Sequence, residues 1–296
     1  MKYDEVTFDS GGTECHAWHF TGEGDALATD AGRPVVVMAH GLAGTKDSGL
    51  RPFAEALAVA GLDVLAFDYR GFGLSAGALR QTVSMDDQLD DYRAAMAAAA
   101  RLPGVDPSRI VLWGVSLAGG HVLAAAAHRV DVAAVVALTP LVDGMAAGRH
   151  ALAHHKPSAM LRSTVMGVRS RFGSARMMPV VARPGELGAL TLDGCLESYL
   201  AIAGPSWRNE VDAAVGLELG NHRPGRSAKH VRAPLLVQIA DFDRSAPPRA
   251  AAKAAFAGRA EVRHYPCDHF DVYLGSGWHE AVVRHQVAFL ARHLSA

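Results

Sequence analysis

A serine hydroxyl attacks a carbonyl carbon at neutral pH only when a base within hydrogen-bond reach takes its proton. The base in turn needs an acid to fix its tautomer and stabilise the imidazolium. Three residues of this chain stand in the order such a site requires on an open α/β scaffold, serine then acid then histidine: Ser116, Asp243 and His269. Ser116 lies in Gly114-Val115-Ser116-Leu117-Ala118-Gly119-Gly120, after an apolar run that begins at Ile110 and before a stretch of good helix formers from Leu117 to Arg129. Strand, sharp turn and helix are the context of a nucleophile elbow, in which small neighbours let the turn close and lift the hydroxyl clear of the sheet. Gly114 and Ala118 supply the small neighbours, and Gly119 and Gly120 let the helix start close to the sheet. The Leu117 amide then points at a bound carbonyl oxygen.

A stricter G-x-S-x-G match exists at Gly73-Leu74-Ser75-Ala76-Gly77. The strand before it ends near Asp68, several residues too early, and Thr82-Val83-Ser84 follow before a helix can start, so the elbow is assigned to Ser116. For the acid, Asp143, Asp241 and Asp243 all follow strands. Asp241 stays close to its strand end. Asp243-Arg244-Ser245-Ala246-Pro247 leaves room for a turn before a helix that starts near Pro247 and Pro248, since proline suits a first helical turn. Asp243 is therefore the expected acid. His269 follows the last strand in Pro266-Cys267-Asp268-His269-Phe270. His121 and His128 on the elbow helix, His264 inside a strand, and His279, His285 and His293 on the terminal helix read as packed or solvated histidines. His40 is expected to shape the loop whose Leu42 amide supplies the second oxyanion donor, beside that of Leu117. His150, His154 and His155 include an i, i+4 pair, but without H-E-x-x-H or an acidic third ligand they read as a solvated face, and no metal or other cofactor is expected.

The elements that must hold these residues follow from apolar runs. Residues 2–20 read as two antiparallel strands about Gly11-Gly12, and 22–33 as polar linker. The runs at 34–39, 62–68, 109–115, 132–138 and 234–240 are continuous rather than alternating, as in strands buried on both faces of a parallel sheet, and 260–265 reads as a last strand. Helices are expected at 50–60, 85–102, 117–129, 248–256 and 279–294. Strand and helix alternate, which predicts an α/β fold with a doubly wound, mostly parallel sheet. Loops at the carboxyl ends of its strands gather at one edge, where ligands bind. The rhythm breaks between 141 and 231, which holds helical fragments and no strong strand. The expected organisation is a core of 1–140 and 232–296 with a lid inserted at 141–231, where Trp207 and Met160 are expected to influence substrate choice.

Composition narrows the partners. Half of the 296 residues are hydrophobic, a fifth are charged and the formal net charge is −1, so nothing points to nucleic acid or an anionic membrane. No apolar run is long enough to span a bilayer, and the acidic N-terminus lacks a signal-peptide pattern. Cys15, Cys195 and Cys267 are few, scattered and without metal spacing, as thiols of a reducing cytoplasm are.

Taken together, the chain resembles the α/β-hydrolase family. The resemblance rests on His40-Gly41, Asp68-Tyr69-Arg70-Gly71-Phe72-Gly73-Leu74-Ser75, the elbow, Asp243-Arg244-Ser245-Ala246-Pro247 and Asp268-His269-Phe270, and runs from residue 35 to the end with the lid unmatched. It implies an eight-stranded sheet, a Ser/His/Asp triad and an oxyanion hole of two backbone amides. His269-Phe270-Asp271-Val272-Tyr273 is similar to the branch that includes acyl-peptidase and cocaine-esterase relatives. Cys267-Asp268 departs from the glycines that relatives often carry before the histidine. A serine at the nucleophile position argues against the aspartate-dependent dehalogenase and epoxide-hydrolase branches. The expected activity is cofactor-independent hydrolysis of a carboxylic ester or thioester of a small acyl substrate. Amide, peptide or carbon–carbon bond hydrolysis and acyl transfer or cyclisation use the same triad. A non-catalytic ligand-binding protein is the rival from another class.

Overall fold

A computed structural model describes the backbone of residues 1–152 and 157–295. Two N-terminal strands, β1 (Asp4–Ser10) and β2 (Thr13–Phe20), form an antiparallel hairpin, and Gly11 and Gly12 take the positive φ values its two-residue turn demands. β3 (Arg33–Ala39), α1 (Arg51–Val59), β4 (Asp63–Phe67), α2 (Met85–Ala99), β5 (Val105–Val115), α3 (Leu117–Ala126) and β6 (Val132–Leu138) then alternate as the apolar runs predict. The side chain of Ser84 caps α2 by accepting from the Asp87 amide, and Asp86 and Asp87 complement the helix dipole.

After β6 the chain builds α4 (Gly144–Leu152), α5 (Pro157–Arg171), β7 (Met177–Met178), α6 (Cys195–Ile202), β8 (Val211–Asp212) and α7 (Val215–Asn221). β7 and β8 pair only with each other. Two short 3₁₀ turns at 224–226 and 228–230 lead back to β9 (Leu235–Ala240), α8 (Pro248–Ala257), β10 (Glu261–Tyr265) and α9 (His279–Leu294).

The eight-stranded sheet has the order β1-β2-β4-β3-β5-β6-β9-β10, antiparallel at its β1–β2–β4 edge and parallel from β4 to β10. Side-chain alternation divides its core. Val35, Val37, Ala39 and Leu112 face one layer, where α2 and α3 pack, while Val36, Met38, Val111 and Trp113 face the other, under α1 and α9. Each such buried aliphatic side chain contributes about 1.5–3 kcal/mol relative to exposure. Trp113 satisfies its indole N–H on Gln286 of α9 at 3.0 Å.

Several boundaries differ from the sequence expectation. α2 stops at Ala99 rather than at Leu102, because residues 100–104 turn sharply and Gly104 takes φ +75°. α3 ends at Ala126 rather than Arg129, and β5 begins four residues early at Val105. The helices and the small β7–β8 ladder between β6 and β9 occupy the stretch in which alternation breaks, and β6 and β9 are themselves neighbours in the sheet.

Candidate active site

Ser116 sits between β5 and α3 at φ 58°, ψ −118°, a backbone conformation that a residue with a Cβ adopts only under strain. Three backbone hydrogen bonds hold it there. Its N–H donates to the Leu138 carbonyl at 2.9 Å, and its carbonyl accepts from Leu141 at 2.8 Å and Gly120 at 3.2 Å. The turn closes only because its neighbours are small: a Cβ on Gly114 would lie 2.2 Å from the Ala118 carbonyl oxygen. Gly41 is equally constrained from the facing loop, where a Cβ would meet the Ser116 Cβ at 2.8 Å.

Of the three candidate acids, only Asp243 meets the histidine. Its Oδ2 lies 2.6 Å from His269 Nδ1, with both residues buried. Its Oδ1 accepts the Ser245 and Ala246 amides at 2.8 and 2.6 Å. Because the carboxylate only accepts, the shared proton sits on Nδ1 and Nε2 is left with its lone pair. Asp241 turns to His264, 2.6 Å away on the exposed face, and Asp143 caps α4 through the Ala146 amide at 3.0 Å. Burial alone would push the His269 imidazole down. The Asp243 charge and hydrogen bond, with the Asp268 charge behind them, outweigh it and raise the pKa above the usual 6.5.

The other histidines have separate structural settings. His121 is buried 2.9 Å from Gln88, His279 contacts the Val272 carbonyl, His285 the Tyr265 hydroxyl, and His128 stacks on His230. Among the described residues no three His, Cys, Asp or Glu side chains converge as a metal set; His154 and His155 lie outside the described residues. Ser75 is buried in its own loop, donating to the Asp68 carbonyl at 2.7 Å and accepting the His16 amide at 2.8 Å.

The loop 40–48 is braced from three sides. His40 is fully buried, stacks on Tyr273 and fits so closely that a Cβ on Gly44 would overlap its ring. Burial pushes its pKa down to about 4, so it is neutral at physiological pH. Lys46, also fully buried, donates from its backbone N–H and its ammonium to the two oxygens of Asp68 at 2.6 and 2.5 Å. From the insertion, the Tyr199 hydroxyl donates to the Leu42 carbonyl at 2.9 Å and the Trp207 indole to the Ala43 carbonyl at 3.1 Å. Sequence reasoning missed both braces. Trp207, expected to influence substrate choice, stacks on Tyr199 and is not among the residues that line the cavity. The Met160 side chain lies outside the described residues.

Ser116, His269 and Leu42 open onto a cavity of about 310 Å³. The insertion supplies much of its lining, including Gly144, Ala147, Gly148 and Ala151 of α4, Gly167 of α5 and Gly216 of α7. The i, i+3, i+4, i+7 spacing places the four α4 residues on one helix face. The α4 residues are short-chained, while Met178, Leu190, Leu192 and Leu217 add longer apolar chains to the lining.

A parallel-cored eight-stranded sheet with a strained serine at the end of its fifth strand is the architecture of an α/β hydrolase. The family of the alpha/beta hydrolase fold matches residues 34–276, and the chain belongs to that family. Along 97% of its length it is 35% identical to quorum-quenching protein AidA of Acinetobacter baumannii (strain MDR-ZJ06), covering 94% of that protein. Over 38% of the chain and 36% of the relative it is 37% identical to thiohydrolase aneE of Aspergillus aculeatus. The crystal structure of alpha/beta hydrolase GrgF from Penicillium sp. sh18 shares the fold with a TM-score of 0.80 over the whole of both chains, at 21% identity. No described helix is long and apolar enough to cross a membrane.

Proposed function

We propose that the chain is a serine hydrolase that cleaves a carboxylic ester or thioester of a small organic substrate through an acyl-enzyme intermediate. His269 Nε2 takes the Ser116 proton, Oγ attacks the carbonyl carbon, and the oxyanion is held by the backbone amides of Leu42 and Leu117. Asp243 fixes the His269 tautomer and stabilises the imidazolium, which then gives its proton to the leaving alcohol or thiol. Water, deprotonated by the same imidazole, releases the acid. The observation that carries this reading is the buried 2.6 Å contact of Asp243 with His269 beside a cavity that Ser116 also lines. The mostly apolar lining of that cavity suits an acyl group, and the likeness to a thiohydrolase keeps thioesters beside oxygen esters.

The test is intact-mass detection of a covalent adduct after treatment with a fluorophosphonate, and of acyl adducts from a panel of activated esters and thioesters. A single adduct mapping to Ser116, with release of free acid on standing, is the expected result. Labelling at Ser75, or no acyl adduct from any member of the panel, would sink the proposal.

A further inference from the structure

Asp243 and His269 come from two different loops, one after β9 and one after β10. The parallel ladder of those strands carries on past the strand ends, with the Phe242 amide donating to the Cys267 carbonyl at 3.0 Å. Beyond it the backbones diverge, and a side chain supplies the next rung. Asp268 Oδ1 accepts the backbone N–H of Arg244 at 3.1 Å and the backbone N–H of His269 at 2.8 Å. Asp268 Oδ2 accepts the Arg244 guanidinium through Nε at 2.7 Å and Nη2 at 2.5 Å. The Asp268 backbone is itself fixed, donating to Asp271 at 2.9 Å, and Arg244 Nη2 reaches on to the Asp193 carbonyl of the insertion at 3.1 Å. One carboxylate thus accepts from the residue after Asp243 and from His269 itself.

We propose that Asp268 is a positioning residue of the reaction: its carboxylate clasps the Asp243 loop to the His269 loop, so that the acid–base contact is fixed by two carboxylates rather than one. The inference rests on the reading of His269 as the base. Charge-assisted bonds to a guanidinium and two amides hold geometry better than neutral ones, and a displacement of about 1 Å in a catalytic group can cost around 10²-fold in rate.

The clasp also sets charge at the base. The charged and titratable groups packed around the clasp are Asp243 and Arg244 of the β9 loop, Asp268, Asp271 and Cys267 of the His269 loop, and Cys195 of α6, while His40 of the β3 loop interacts with His269 itself. Among these, Asp268 is an anion whose charge favours the imidazolium, and Arg244 is its cationic partner. Removing the anion leaves the cation uncompensated, and removing the cation does the reverse, so the two substitutions move the His269 titration in opposite directions. A residue that merely stabilised the fold would move neither.

The experiment compares wild type with Asp268→Asn, Asp268→Ala and Arg244→Gln in the intact protein. It records kcat and KM against pH on an activated ester and follows the His269 ring by NMR titration without substrate. Asp268→Ala is expected to lower kcat at the pH plateau by roughly 10–100-fold, with KM within a factor of about 2. Asp268→Asn, which keeps the shape and an acceptor, recovers part of that loss. In Asp268→Asn both the acidic limb and the ring titration move to lower pH; in Arg244→Gln both move to higher pH. Wild-type kcat and limb in Asp268→Ala would overturn the proposal, as would losses that follow the melting temperature with the ring titration unmoved. The ring titration reads the clasp without turnover, so full activity in Ser116→Ala would instead condemn the reading of the site on which the clasp rests.

Discussion

Asp243 divides its carboxylate between two tasks: Oδ2 lies 2.6 Å from His269 Nδ1, while Oδ1 takes the amides of Ser245 and Ala246. The second task orients the first, because a carboxylate held by two backbone donors cannot rotate away from the imidazole. Asp243→Asn replaces the acceptor by an amide that presents its own N–H to Nδ1, forcing the ring proton to Nε2, where it faces the serine. Turnover should fall by about 10⁴-fold with the fold intact. Asp143→Asn and Asp241→Asn, measured beside it, should stay close to wild type; a large loss in either with none in Asp243→Asn would reassign the acid.

Ser116→Ala should lower turnover by on the order of 10⁶-fold if the three residues act as a unit. Ser75→Ala should leave turnover close to normal but lose the bonds to the Asp68 carbonyl and the His16 amide, at a stability cost of about 1–3 kcal/mol. Steady-state kinetics and denaturant melts on the two variants separate the roles.

As the proposed base, His269 must be neutral to accept the serine proton. The His269 pKa is raised, so kcat/KM should fall as the pH drops through a value above the usual 6.5. Buried His40 and half-buried His222 set the pH dependence of stability. His40 and His222 have pKa values near 4 in the fold, so the unfolded chain binds more protons than the native one between about pH 6.5 and 4, and stability is lost as the pH falls through that window. Activity should therefore begin to fall on acidification while the melting temperature is still high. Coincident loss of both across that range would contradict the sign of one of these shifts.

Gly148 lines the cavity from α4, and a Cβ added there meets nothing within 4 Å. Gly148→Leu should fill the cavity without strain and raise helix propensity by up to about 1 kcal/mol. Its rate on long acyl esters should drop relative to short ones while its melting temperature holds. Equal losses on every chain length would show that the acyl group lies elsewhere.

Lys46 and Asp68 form an ion pair with no exposure on either side. Removing one partner of such a pair strands the other charge, so Lys46→Met should destabilise by about 3–5 kcal/mol. Chemical denaturation measures it directly, and a change under about 1 kcal/mol would mean that the Leu74 and Lys46 amides alone satisfy Asp68.

What the sequence makes legible are features set by local chemistry. Buried parallel strands announce themselves as unbroken apolar runs, and the elbow as small residues around a serine between strand and helix. Asp243 is separable from Asp241 by two residues of loop. The missing parts depend on contacts between distant loops. Nothing local marks Lys46 for a buried partner 22 residues away, or Trp207 as a brace for the Ala43 carbonyl 164 residues back. Asp268 is visible as an unusual neighbour of His269, but its grip on Arg244 needs the β9–β10 register to be known.

Tyr199 and Trp207 join the insertion to the carbonyls of Leu42 and Ala43, the loop proposed to stabilise the oxyanion. Any motion of the insertion that breaks these two bonds removes one of the three braces of that loop and loosens it, while His40 and the Lys46–Asp68 pair still hold it. Cavity access and loop order then become linked equilibria: a ligand that favours the closed insertion favours the ordered loop by the same free energy, and a substitution that loosens one loosens the other. Substrate preference and catalytic competence are in that sense a single variable, so exchanging the insertion between relatives without carrying Tyr199 and Trp207 along should change rate on every substrate before it changes the choice among them.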